Sequence, residues 1–70
     1  MLDNRTVIIV RWRVWRGIGE CYTRAIATME EAEAVAAKLR KDDMNHSVRV
    51  DQPLVSWYNH NVLYSWEKPL

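Results

Sequence analysis

Arg11, Arg13 and Arg24, with Trp15 and Tyr22, are the side chains whose types and spacing point most directly to chemistry, and that chemistry is binding. A guanidinium forms paired hydrogen bonds to carboxylates, phosphates and guanine. Trp and Tyr bury a large flat area while losing little rotamer freedom. Arg11, Arg13 and Trp15 recur at every second position, so an extended backbone stands them on one side.

Other chemistries fit the residues less well. Metal binding would draw on His46, His60 and Cys21, and no zinc-type spacing joins them. Nucleophilic catalysis would need Cys21 or a serine beside an activating base, and Ser47, Ser56 and Ser65 stand in no such motif. Asp42 and Asp43 read as the exit of a helix. Gly17-Ile18-Gly19 links two strands and opens no helix, so it is no phosphate loop. The expectation is a non-enzymatic domain with no metal and no cofactor. With a single cysteine there is no intramolecular disulfide, and no apolar run approaches the ~20 residues of a membrane span. The opening MLDNRT lacks the order of a signal peptide, so a cytoplasmic setting is expected.

The elements that would position the binding side chains are legible in pattern. A first strand from about Thr6 to Arg16 puts Ile8, Val10, Trp12 and Val14 on one face, apolar throughout and therefore the core face. Val7, Ile9, Arg11, Arg13 and Trp15 fall on the other. A two-residue turn at Gly17-Ile18 would pair Val14 with Cys21, Trp12 with Thr23, Val10 with Ala25 and Ile8 with Ala27. On the opposite face it pairs Arg13 with Tyr22, Arg11 with Arg24 and Ile9 with Ile26. Thr28 then caps a helix in the pattern Thr-Met-Glu-Glu. Ala32, Val35, Ala36 and Leu39 face inward, and Glu30, Glu33, Lys38, Arg40 and Lys41 outward. Asn45 can take the left-handed conformation that ends helices. His46 to Asp51 alternates as a third strand, and Pro53 closes it. β-rich residues on both sides of Asn59-His60-Asn61 predict a second hairpin, with strands near Leu54–Tyr58 and Val62–Trp66.

The result is one α+β domain, residues 1–70, of order β-β-α-β(-β-β): an antiparallel or mixed sheet with one helix on one face, and flexible ends at 1–5 and 67–70. Seventy residues lie near the lower limit for a core that holds without staples. Four Trp and three Tyr are a heavy aromatic load for that size, and surplus aromatics serve interfaces. The net charge of +1 hides an asymmetry. Residues 1–28 carry Arg5, Arg11, Arg13, Arg16 and Arg24 against Asp3 and Glu20, whereas the helix begins acidic.

The span Arg11 to Lys41, RWRVWRGIGECYTRAIATMEEAEAVAAKLRK, resembles the AP2-like arm-type DNA-binding domains of tyrosine recombinases. The likeness rests on a W-x-V-like strand, a glycine turn, a second strand and an E-A-E-A helix start. It implies a sheet that enters the major groove with the helix packed behind, and Arg11, Arg13 and Arg24 as readers. The residues themselves favour a different class. Arg, Trp and Tyr dominate protein–protein hot spots, and a net charge of +1 supports few phosphate contacts. The leading expectation is a small accessory protein, of phage type, that binds and modulates a larger protein through Arg11, Arg13, Trp15, Tyr22 and Arg24. Trp57, Tyr58, Tyr64 and Trp66 would form a second surface, and a homodimer through the open face is a further expectation. Sheet-type DNA binding is the alternative.

Overall fold

The structure, a computed structural model, describes residues 5–63. Its centre is a three-stranded antiparallel sheet of order β2-β1-β3, with β1 at Ile9–Val14, β2 at Cys21–Tyr22 and β3 at Asn45–Asp51. Helix α1, Met29–Arg40, lies against one face. The α+β class and the β-β-α-β order are those expected from the pattern. No helix among the described residues is long and apolar enough to cross a membrane.

The even-numbered face of β1 is the seat of the helix. Ile8 and Val10 are buried together with Ala32 and Ala36, and Trp12, Ile26, Val35, Leu39, Val48 and Val50 close around them. Alanines at the centre of the helix face let its backbone approach the sheet, and the larger side chains fill the flanks. Each fully buried aliphatic contributes about 1.5–3 kcal/mol. Thr28 caps the helix as expected, its hydroxyl accepting from the Glu31 N–H at 3.1 Å. At the other end Asn45 acts through its side chain instead of a left-handed backbone. Its amide donates to the Leu39 carbonyl at 2.9 Å while the residue itself opens β3.

The first hairpin turns earlier than expected. Gly17 N–H donates to the Val14 carbonyl at 2.9 Å, and Arg16 stands in the left-handed region with φ +72°. The turn is therefore Val14-Trp15-Arg16-Gly17, and Gly19, φ +80°, helps bring the chain back. A Cβ on Gly17 would come within 3.1 Å of the Val14 carbonyl oxygen, which favours glycine there. The register becomes Arg11 opposite Tyr22 and Trp12 opposite Cys21, two residues from the predicted pairing. An even shift keeps the side chains of β1 and β2 on their predicted faces.

Beyond Tyr22 the pairing slips once more. Thr23 exchanges two bonds with Val10, its hydroxyl accepting from the Val10 N–H and its own N–H donating to the Val10 carbonyl, both at 3.0 Å. Ile8 then lies opposite Ile26. This single-residue slip carries Ile26 into the helix-side core and leaves Ala25 and Ala27, expected beneath the helix, exposed.

Strand β3 carries a bulge. Arg11 pairs with Arg49 but Arg13 with His46, so β3 spends one extra residue at Ser47, which takes φ +56°. The carbonyls freed there accept from arginines: Ser47 from Arg49 and Val48 from Arg40, each at 3.1 Å.

The predicted C-terminal hairpin is helical instead. Val55–Tyr58 forms a short helix, α2, continued by a π-helical turn at Asn59–Leu63. Tyr58 and Val62, four residues apart, are buried against Ile9 on the odd-numbered face, with Val7, Tyr22, Trp57 and Leu63 around them. Packing of that i, i+4 pair outweighs the strand preference of its aromatic and branched residues. Asn59-His60-Asn61, read as a turn, lies inside the π-helical segment. The expected strand residues Tyr64, Ser65 and Trp66 lie outside the described residues, as do the ends 1–4 and 67–70.

Candidate functional site

The odd-numbered face of β1 divides into three zones. At the Ile9 end it is covered. Tyr58 is buried, and its hydroxyl accepts from the Ala25 N–H at 3.0 Å, which ties the C-terminal helix down. Tyr58 is thus part of the core, and Trp57 is half-buried beside it; of the expected second surface, Tyr64 and Trp66 fall outside the described residues.

The middle zone is an ion-pair network built on Arg11. Its Nη2 donates to Glu20 Oε1 at 2.6 Å and its Nη1 to Asp51 Oδ2 at 2.7 Å. Glu20 is shared, its second oxygen accepting from Arg49 at 2.5 Å. The Arg11 and Glu20 side chains are only 19% and 16% exposed. The Arg11 guanidinium also stands 5.2 Å from the Tyr22 ring centre and 5.1 Å from that of Trp57, which itself meets Tyr22 edge-on at 5.7 Å. The buried Nε has no hydrogen-bond partner among the described residues.

Burial opposes the charge on Arg11, but hydrogen bonds to Asp51 and Glu20 override it and hold the guanidinium above its ordinary value. Burial likewise works against the Glu20 carboxylate. Hydrogen bonds from Arg49 and Arg11 prevail and hold it below its ordinary range. Arg11 and Tyr22, both expected on an open binding face, are built into the structure.

The third zone is open. Arg13 is exposed and lies opposite His46 on the same face. The Trp15 ring stacks on His46 with centroids 3.8 Å apart and planes 23° from parallel, yet Trp15 is 55% exposed. Its backbone N–H donates to the Met44 carbonyl at 2.8 Å. Met44 and Ile18 are exposed at this end of the sheet, Ile18 completely. Arg24, expected opposite Arg11, is exposed beyond β2 because Tyr22 takes its place in the ladder.

The residues that sequence reasoning missed are Glu20, Arg49 and Asp51 in the network and His46 at the open end. An acid at Glu20 near the hairpin turn was the available signal, but its partners lie 9 and 29 residues away along the chain. Cys21 faces the helix side opposite Trp12 and is half-buried. No group of three or more His, Cys, Asp or Glu side chains among the described residues is placed to hold a metal ion. Compared with protein-family models, with curated proteins and with solved structures, the chain matches none.

Proposed function

We propose that this domain is a small non-enzymatic binding module that engages and modulates a larger protein through the turn end of its sheet, with Arg13, Trp15, Arg16, Ile18 and His46 as the contact residues. The observation that carries the reading is Trp15, an exposed indole held in one place by the His46 stack and by its backbone bond to Met44. A large aromatic that is exposed and already ordered loses little entropy when a partner covers it, which is the property of an interface anchor. Arg11 and Tyr22 brace the site from the neighbouring zone of the same face: Arg11, stacked near the Tyr22 ring, bonds Glu20 and so ties the returning arm of the loop to β1.

Affinity capture from the source cells, with nuclease treatment, tests this. A stoichiometric protein partner that survives nuclease and is lost with Trp15→Ala is the expected result. Recovery that nuclease abolishes would contradict it.

Sheet-type DNA binding is the second reading, favoured by a three-stranded sheet with a helix behind it and arginines on its open face. Arg11 is then a brace and not a reader, and Arg13 and Arg49 take the base or phosphate contacts. That reading predicts a salt-sensitive mobility shift abolished by Arg13→Ala with Arg49→Ala.

A further inference from the structure

We infer that the partner segment seated at the turn end is acidic and carries a bulky apolar side chain, Arg13 and Arg16 pairing with its carboxylates while its apolar group covers Trp15 and Ile18. This rests on the protein-binding reading above.

The first support is charge. Both oxygens of Glu20 are taken by Arg11 and Arg49, and Asp51 accepts from Arg11. In the turn that adjoins Trp15, Asp42 and Asp43 are equalled in number by Arg40 and Lys41 just before them, and Asp42 Oδ1 accepts from the Met44 N–H. Arg13 and Arg16 flank Trp15, are exposed, and have no carboxylate partner among the described residues. The surplus at this end is therefore cationic and surrounds three exposed apolar side chains: Trp15, Ile18 and Met44.

The second support is the backbone. Arg16 occupies a left-handed position, φ +72°, in the turn closed by Gly17 N–H and the Val14 carbonyl. A side-chain-bearing residue costs stability there where glycine would not, and such strain concentrates at functional positions. Arginine instead of glycine here places an exposed guanidinium directly beside Trp15. The charge pattern also selects among partners. Two cations are few for a run of phosphodiesters, and fewer than the cluster of about four or more that an anionic lipid surface calls for.

The test is selection of a random-peptide display library on the full chain, followed by titration of purified peptides against wild type, Trp15→Ala and Arg16→Gly. Arg16→Gly relieves the strained position, so it leaves the fold as stable or more so, and weaker binding by it cannot be ascribed to unfolding. The expected peptides carry Asp or Glu around a bulky apolar residue, bind more weakly as salt rises, and lose about tenfold or more in affinity with either variant. Peptides that need Trp15 but contain no acids and ignore Arg16→Gly would overturn the acidic partner and leave the protein-binding reading standing. If no peptide depends on Trp15, both fall, and duplex DNA and phosphatidylserine vesicles titrated in parallel then identify the replacement.

Discussion

Arg11 and Arg13 stand two residues apart on one strand, on the same face, and their fates are opposite. Arg11 is bonded to two carboxylates, lies over two aromatic rings and is mostly buried; Arg13 is exposed across from a histidine. The difference lies in what the rest of the chain brings to each position. Glu20, Asp51 and Trp57 converge on Arg11 from three different segments, whereas the C-terminal helix that covers Ile9 lies at the far end of the strand from Arg13. One face thus holds both a structural half and an available half, and chain position decides which arginine is which.

The largest effects should come from the covered half. Ile9→Ala should cost about 2–4 kcal/mol in urea unfolding, as much as Ile8→Ala on the helix side, because both are buried in clusters. An Ile9 on an uncovered sheet would lose under about 1 kcal/mol, and that result would remove the C-terminal helix from the account. Next, Arg11→Ala should cost about 2–3 kcal/mol, because Asp51 loses its ion-pair partner and Glu20, though it keeps Arg49, loses a charge-assisted hydrogen bond, while Arg13→Ala stays within about 0.5 kcal/mol. Equal losses would break the contrast between the two arginines.

The network also has a pH signature. Because the folded structure holds the Glu20 carboxyl below its ordinary value, its contribution is complete above the usual carboxylate range, near pH ~4.3, and fades as pH falls through the lowered folded value. The stability gap between wild type and Glu20→Gln, about 1–2 kcal/mol at neutral pH, should therefore be flat at and above neutrality and close in acid. A gap that widens in acid would contradict the arrangement. The smallest effect is at the bulge: Ser47→Gly should be neutral or stabilise by up to about 1 kcal/mol, since Ser47 has φ +56°. A clear loss in thermal unfolding would show that the Ser47 side chain matters there, where its hydroxyl lies 3.1 Å from His46 Nδ1.

Helix α1 and its seat were legible in the sequence because both signals are local. The Thr28 cap, the spacing of Ala32, Val35, Ala36 and Leu39, and the alternation of Ile8, Val10 and Trp12 need no knowledge of distant contacts. Face assignment on β1 survived a wrong turn because the error was an even number of residues. What escaped depends on tertiary partners. Tyr58 and Val62 are strand formers by type and became helical because Ile9 offered them a common surface. Arg11 and Tyr22 resembled binding residues by type. Their burial required Asp51 and Trp57, 40 and 46 positions further on, and no local rule brings those together. The bulge at Ser47, where neither glycine nor asparagine marks the left-handed position, left no trace in composition.

The division of this face can be measured directly in the guanidinium groups. In a nitrogen-15 spectrum of the full chain, Arg11 should show separately resolved, slowly exchanging Nη protons, since bonds to Glu20 and Asp51 block rotation about its Nε–Cζ bond. Arg13 should give one averaged, fast-exchanging signal. If Arg11 is averaged like Arg13, the network does not hold, and the distinction between a braced half and an available half is wrong.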